Sequence, residues 1–210
     1  MKEKLMKIVK DKQNWLILAL LVIIVGLCIC IFMALNKEEK TETDAVKFSK
    51  EYTLVGEENV FVYRDIDEII KILKNGTGVV LLGFPECPWC QQYAVYLNEV
   101  AKDLDFEKIY YFNILNARKD NTEKYQEIVS LIGEHLQYDD EGNKKVYVPA
   151  VIAVNKGEIV GFDDETAWDT KGFEKPEEYW NDEEVTDLKT KLQTMFNAAN
   201  PNMCTSCNED

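Results

Sequence analysis

Histidine and arginine are scarce in this chain of 210 residues, which has one histidine and two arginines. Because His135 has no second histidine and no matching cysteine or aspartate, we predict a surface residue rather than a catalytic base.

Positively charged residues are also few, with 24 basic residues against 38 acidic ones and a net charge of −14. An acidic surface repels nucleic acid and anionic lipid, so no nucleic-acid partner is expected.

Charged residues are absent from the apolar run at 15–35, WLILALLVIIVGLCICIFMAL. At a rise of about 1.5 Å per residue, this run spans about 30 Å, the thickness of a bilayer core. Lysines dominate the residues before it, so the positive-inside rule predicts a cytoplasmic N-terminus and an exported remainder. We predict a single-pass, uncleaved signal anchor in a bacterial cell envelope. Cleavage, lipidation at Cys28 and an ER-type placement with glycosylation at Asn75 remain alternatives.

Composition divides the rest of the chain into a charged segment, a longer segment with periodic apolar residues and a polar tail. We expect a cytoplasmic N-terminus at 1–14, a transmembrane anchor at 15–35, a linker at 36–57, a folded domain at 58–200 and a tail at 201–210. The linker has few large apolar residues, and a short strand is predicted within it at 51–55. In the domain, apolar periodicity predicts the order β-α-β-α-β-α-β-β-α and hence an α/β fold. Predicted strands lie at 60–63, 79–84, 108–114, 150–154 and 158–162.

The segment Cys87-Pro88-Trp89-Cys90 follows one predicted strand directly and opens the next helix. A cysteine at the start of a helix lies near free backbone N–H groups and the positive end of the helix dipole. Both favour the thiolate, which is the form that attacks disulfides. Pro88 suits the first helical turn, where its missing N–H costs nothing. The segment therefore predicts a redox dithiol.

The element order, the dithiol at the second strand-to-helix turn and Val148-Pro149 before a later strand together resemble the thioredoxin superfamily over residues 58–200. The resemblance implies a thioredoxin-like fold, in which helices flank a central mixed sheet. It implies that Cys87 is the nucleophile, that Cys90 is the resolving thiol and that Pro149 is cis and lies against the dithiol. Trp89, Val148 and Pro149 would bind the substrate. No cofactor or metal is expected besides the redox-active disulfide itself.

Departures from thioredoxin leave the redox direction open. Leu81 occupies the position of a buried aspartate in thioredoxins, so that residue's proton relay is not implied. Glu86 replaces a tryptophan, and its charge should oppose a neighbouring thiolate. The Pro-Trp pair between the cysteines is similar to the Pro-Tyr of glutaredoxins and the Pro-His of periplasmic disulfide oxidases.

A second pair, Cys204 and Cys207, lies in the tail and is a candidate accessory redox pair. A zinc site at this pair is disfavoured, because a structural zinc site needs four ligands and the other exported cysteines belong to the dithiol. Within one chain, the last helix should carry the tail about 27 Å away from Cys87. Exchange with a partner, a local disulfide and an unpaired tail remain open.

These features predict a membrane-tethered, extracytoplasmic protein-disulfide oxidoreductase. It would act on protein or peptide cysteines by mixed-disulfide exchange, and an envelope redox partner would restore its dithiol or disulfide. The alternative is a non-catalytic, thioredoxin-like accessory or peptide-binding protein of an export system.

Overall fold

The computed structural model describes residues 20, 23–26, 42–164, 166 and 171–200, in two units, Met1–Glu42 and Thr43–Asp210. In the first unit, Leu20 and residues 23–26 are helical and exposed. No helix among the described residues is long and apolar enough to cross a membrane. Most of the predicted anchor at 15–35 lies outside the described residues, as do Cys204 and Cys207, and these predictions remain predictions.

The second unit alternates helices and strands, as the sequence predicted. Its elements are α1 (Asp44–Glu51), β1 (Phe61–Tyr63), α2 (Ile66–Asn75), β2 (Gly78–Gly83), α3 (Pro88–Asp103), β3 (Ile109–Asn113), α4 (Leu115–Lys119), α5 (Glu123–Leu131), β4 (Ala150–Asn155), β5 (Glu158–Asp163), α6 (Pro176–Tyr179) and α7 (Asp182–Ala199).

The strands form one mixed sheet in the order β1-β3-β2-β4-β5. Strands β1, β3 and β2 run parallel, whereas β4 is antiparallel to β2 and β5 is antiparallel to β4. The tight turn at Lys156 and Gly157 joins β4 to β5, and Gly157 has a φ of 82° that suits glycine. The α/β class, with a mixed sheet flanked by helices, is therefore confirmed.

Side chains alternate across each strand, so the sheet packs a separate core on each face. One face contacts α1, α3 and α7, and we call its core the aromatic core. Its buried rings are Phe48, Tyr52, Phe61, Tyr93, Phe106, Tyr111 and Phe196. The other face contacts α2 and α5, and we call its core the aliphatic core. Its members include Ile69, Leu73, Val80, Leu82, Ile128, Ile132, Ile152 and Val154.

Side chains of Asp65 and Asn181 cap the N-termini of α2 and α7. Asp65 accepts the N–H of Glu68 at 2.8 Å, and the Glu68 carboxylate accepts the N–H of Asp65 at 3.1 Å. Asn181 accepts the N–H groups of Glu183 and Glu184 at the start of α7. The bonds, which are reciprocal at Asp65, satisfy backbone donors that the helices themselves leave free.

The prediction of a strand at 51–55 is wrong, because this part of the chain ends helix α1 and then turns. Thr43 caps the helix, and Phe48 and Tyr52 enter the aromatic core with no exposed surface. Their spacing of four residues places both rings on one helical face. The folded unit therefore begins at Thr43 rather than at residue 58, and the predicted linker at 36–57 contains a packed helix.

Candidate active site

The dithiol lies where β2 ends and α3 begins. Strand β2 is buried along its whole length, and Cys87 is the N-cap residue of α3, with Pro88 in the first turn. The N–H of Cys87 donates to the Phe84 carbonyl at 3.2 Å, which closes the loop between strand and helix. This geometry fixes the first cysteine at the N-terminus of a 16-residue helix.

Cys87 is half-buried and is held as the more acidic of the two thiols. The backbone N–H of Cys90 donates to Cys87 Sγ at 3.3 Å. A hydrogen bond from the Cys90 side chain is the largest cause that lowers the Cys87 pKa, to about 7. Burial opposes this shift, while the backbone N–H groups of Cys90 and Trp89 and the charge of Arg118 support it. A substantial share of Cys87 is therefore thiolate at neutral pH.

Cys90 has the opposite properties, although it lies one helical turn away. It is only 1 % exposed, and both cysteines are free thiols. Burial raises the pKa of Cys90 well above its usual value, and the neighbouring Cys87 thiolate raises it further. The pair thus combines an accessible nucleophile with a buried, protonated thiol.

The expected cis peptide bond is present between Val148 and Pro149. Leu82 pairs with Ala150 across β2 and β4, so Pro149 lies at the end of the sheet where Gly83 leads into the dithiol loop. Val148 is half-buried and packs against both cores, and Cys87 packs against the aromatic core. The structure therefore brings Val148 and Pro149 to the same end of the sheet as the dithiol.

Trp89 lies between the two cysteines and is half-buried. Its ring meets Tyr179 of α6 edge to face, with centroids 5.5 Å apart. Tyr179 in turn contacts the rings of Trp180 and Phe173. Local packing thus holds Trp89 in place beside Cys87.

Arg118 belongs to the site, although the sequence gave no sign of it. Its guanidinium lies over the Phe84 ring at 5.1 Å and donates to the Val146 carbonyl at 3.2 Å. Phe84 begins the dithiol loop, and Val146 comes shortly before the cis bond. Arg118 therefore connects the two segments that form the site and brings a positive charge to the cysteines.

Two buried tyrosines, Tyr52 and Tyr111, were also not predicted as site residues. Tyr111 pairs in register with Leu81, the position where the resemblance would place an aspartate. The two hydroxyl oxygens are 3.3 Å apart, and Tyr52 donates to Tyr111. Burial is the largest cause that raises the pKa of each hydroxyl well above its usual value, so both stay protonated.

The dithiol helix is anchored to the edge strand β5 by Asp163, which is 2 % exposed. Its carboxylate accepts the hydroxyl of Tyr93 on α3 at 2.5 Å and forms an ion pair with Lys191 on α7. A buried carboxylate needs such partners. Three elements therefore meet at the last residue of β5.

The site offers redox chemistry through its own sulfur atoms. Within the described ranges, no group of three or more histidine, cysteine or acidic residues could hold a metal ion.

The only histidine, His135, is exposed, as predicted for a surface residue. Its ring stacks on Phe162 with ring centroids 5.4 Å apart.

Fold and site together define an α/β protein with a helix-capping dithiol and a cis-proline at the same end of its sheet. Comparison with protein-family models, curated proteins and solved structures gives no match.

Proposed function

We propose that the chain is a membrane-tethered, extracytoplasmic thiol–disulfide oxidoreductase with a thioredoxin-like fold. The observation that carries this proposal is the contrast between the two cysteines. Cys87 has a pKa lowered to about 7 at a helix N-terminus, whereas Cys90 is buried with a raised pKa. Disulfide exchange through a mixed disulfide needs one attacking thiolate and one resolving thiol.

The fold supports the same proposal. The resemblance to the thioredoxin superfamily implied a mixed central sheet, helices on both faces and a cis-proline beside the dithiol. The five-stranded sheet and the cis bond before Pro149 agree with that expectation. In the proposed function, an extended substrate chain lies along Val148 and Pro149, next to Trp89.

The reaction takes place in two exchange steps. The Cys87 thiolate attacks one sulfur of a substrate disulfide, and the other substrate sulfur leaves as a thiolate and takes up a proton. Cys90 then loses its proton and attacks Cys87 Sγ, and the first substrate sulfur leaves with the electron pair of the mixed disulfide. The substrate gains two electrons, and the protein ends with a Cys87–Cys90 disulfide. The reverse sequence oxidises a substrate dithiol.

The uncharged run at 15–35 and the lysines before it support a tether with the domain outside the cytoplasm. Structural disulfides persist in such a compartment, so its proteins are suitable substrates. An envelope redox partner would return Cys87 and Cys90 to their starting state. Cys204 and Cys207 remain a candidate accessory pair for that exchange.

Trapping tests the enzymatic function directly. In Cys90→Ser the resolving thiol is missing, so we expect mixed disulfides between Cys87 and substrate proteins to accumulate in intact cells. They should appear as high-mass bands on non-reducing gels that a reductant removes. Cys87→Ser is the matched control and should trap nothing. If Cys90→Ser traps no partner, the oxidoreductase proposal fails and the non-catalytic accessory protein becomes the better interpretation.

The reduction potential tests the direction of the reaction. A Cys87 pKa of about 7 is close to that of thioredoxin and far above that of DsbA, about 3.5. A less stabilised thiolate makes the dithiol a stronger reductant. We therefore expect a potential nearer to the thioredoxin value of about −270 mV than to the DsbA value of about −120 mV. Equilibration in graded thiol–disulfide buffers measures it, and a potential near the DsbA value would favour an oxidase.

A further inference from the structure

Two buried hydroxyls of the aromatic core, those of Tyr52 and Tyr111, lie on the side of the resolving cysteine. Tyr52 and Tyr111 have no exposed surface. The Tyr52 ring stacks on Phe48 at 4.2 Å and meets Tyr111 edge to face at 5.5 Å. These contacts pack the Tyr52 ring on two sides and so restrict the position of its hydroxyl.

The Tyr52 hydroxyl and the Cys90 sulfur approach the same point of the backbone. A methyl group added at Gly83 would lie 3.1 Å from Tyr52 Oη and 3.3 Å from Cys90 Sγ. Gly83 therefore leaves open a small space that is bordered by both atoms. The missing side chain of Gly83 keeps this space between the tyrosine hydroxyl and the resolving thiol free of other atoms of residue 83.

The end of helix α1 is also tied to the dithiol loop. The side-chain amide of Gln91 donates to the carbonyl of Glu51 and to the carbonyl of Pro85, both at 2.8 Å. Glu51 directly precedes Tyr52, and Pro85 lies in the loop that leads to Cys87. One side chain thus fixes Tyr52 relative to the cysteines.

The chemistry of the second exchange step needs such a group. Cys90 must become a thiolate while it is buried, and an isolated charge in an apolar core is costly. The residue at the family's aspartate position, Leu81, cannot help. A protonated phenol does not accept the cysteine proton, but it donates a hydrogen bond to a sulfur anion, and bonds to charged groups are the strong ones.

We propose that the Tyr52 hydroxyl donates a hydrogen bond to the Cys90 thiolate as it forms and attacks the mixed disulfide, while Tyr111 accepts that hydroxyl between turnovers. Tyr52 is then a catalytic residue and Tyr111 a positioning residue. The proton of Cys90 leaves with the departing substrate thiol, and no further oxidant or reductant is needed. This inference rests on the proposed oxidoreductase function.

The aromatic disulfide dithiobis(nitrobenzoate) separates the two steps in one experiment. Attack by Cys87 releases one coloured thiolate, and resolution by Cys90 releases the second. The protein is the full chain in detergent with Cys28→Ala, Cys30→Ala, Cys204→Ala and Cys207→Ala, so that only the dithiol reacts. Stopped-flow absorbance gives the rates of both phases.

In Tyr52→Phe the ring and its stacking are retained and only the hydroxyl is lost. We expect an unchanged first phase and a second phase slowed by about tenfold or more, as expected for the loss of one hydrogen bond to a charged group. The pH at which the second phase is half-maximal should rise by about one unit, which corresponds to a tenfold change in thiolate.

Tyr63→Phe is the matched control. Tyr63 also meets Tyr111 edge to face, at 5.0 Å, but its hydroxyl donates to Glu51 at 2.8 Å. It should leave both phases unchanged. Tyr111→Phe should slow the second phase less than Tyr52→Phe does.

An unchanged second phase in Tyr52→Phe overturns the role of Tyr52, and so does an equal slowing of both phases or the same slowing in Tyr63→Phe. These results leave the oxidoreductase proposal intact, because they concern only the resolving step. Absence of the first phase in the parent protein is a separate outcome, which contradicts the oxidoreductase function and the inference together.

Discussion

The aromatic core and the aliphatic core lie on opposite faces of one sheet, and they differ in chemistry more than in burial. Stacked rings fill the aromatic core, for example Phe48 on Phe61 with centroids 3.9 Å apart. Branched aliphatic side chains fill the aliphatic core, where Tyr125 is the only ring among its fully buried described members. Both faces exclude water, but only the aromatic core contains the buried thiol Cys90.

In the proposed function, this difference gives one hydrophobic core a part in the reaction as well. A tyrosine contributes a large apolar ring and one polar tip, so it packs like phenylalanine and still brings a hydroxyl to a chosen place. On the aromatic face this tip lies beside Cys90. The buried tyrosine of the aliphatic core, Tyr125, lies elsewhere and accepts the N–H of Val146 at 3.2 Å, so we assign that face a structural role.

Paired truncations give the largest expected effects. Phe48→Ala removes the ring that stacks on Tyr52, and Ile128→Ala removes a side chain at the centre of the aliphatic core. We expect Phe48→Ala to lower the free energy of unfolding by about 3–5 kcal/mol and Ile128→Ala by about 2–5 kcal/mol. Urea unfolding followed by tryptophan fluorescence measures both. A loss below about 1 kcal/mol in either variant would contradict its place in a packed core.

The same two variants should differ in the rates of the two exchange steps. Per folded molecule, Phe48→Ala should slow the Cys90 step, because Tyr52 loses the ring that positions it. Ile128→Ala should leave both exchange steps at the parent rates, since its core does not reach the sulfur atoms. Equal slowing in the two variants would remove the functional distinction between the faces.

The pH dependence of Cys87 alkylation tests the accessible thiol of the site, and its expected effect is smaller than that of the truncations. Because the thiolate is the reactive form, the rate should rise with pH and reach half its maximum near pH 7, the value of the lowered Cys87 pKa. Iodoacetamide labelling followed by mass spectrometry measures it. A midpoint near the ordinary cysteine value of about 8.5 would show that the Cys90 side chain and the backbone N–H groups of Cys90 and Trp89 do not stabilise the thiolate.

Arg118→Gln should have the smallest effect. Its charge is the last of the named causes that lower the Cys87 pKa, so the midpoint should rise by less than about one unit and alkylation at pH 7 should slow. Lys124→Gln is the matched control, because it also removes one positive charge, from an exposed pair with Asp67. Equal shifts in the two variants would indicate a general effect of net charge.

Local sequence signals were sufficient for the dithiol and for most of the sheet. The cysteines, Pro88 and Pro149 lie at turns with distinctive residues, and the five strands have dense apolar patterns. The short helix α4 was missed, and the sequence at 163–180, which contains α6, predicted only a loop or a short helix, because such helices contain too few residues for a periodic pattern to appear. Helix α5 ends at Leu131, although apolar residues continue beyond it to Ile132 and Leu136.

The remaining site residues could not be found in the same way, because they reach the cysteines only through the tertiary fold. Arg118 lies far from Cys87 in the sequence, in the short helix α4, which has no clear apolar periodicity. Tyr52 comes from a charged segment that resembles a linker, and its role depends on the bare backbone at Gly83. Tyr111 is one of two adjacent tyrosines on β3, and only the register with Leu81 shows which one faces the dithiol.

Helix α1 determines where a fragment of the folded unit without the predicted membrane anchor should begin. A fragment cut at residue 58 would begin neatly before β1 and keep both cysteines, yet it would leave Phe61 and Tyr111 facing water where Phe48 and Tyr52 had been. The minimal unit for expression starts at Thr43, so that the fragment contains Tyr52 and its hydroxyl.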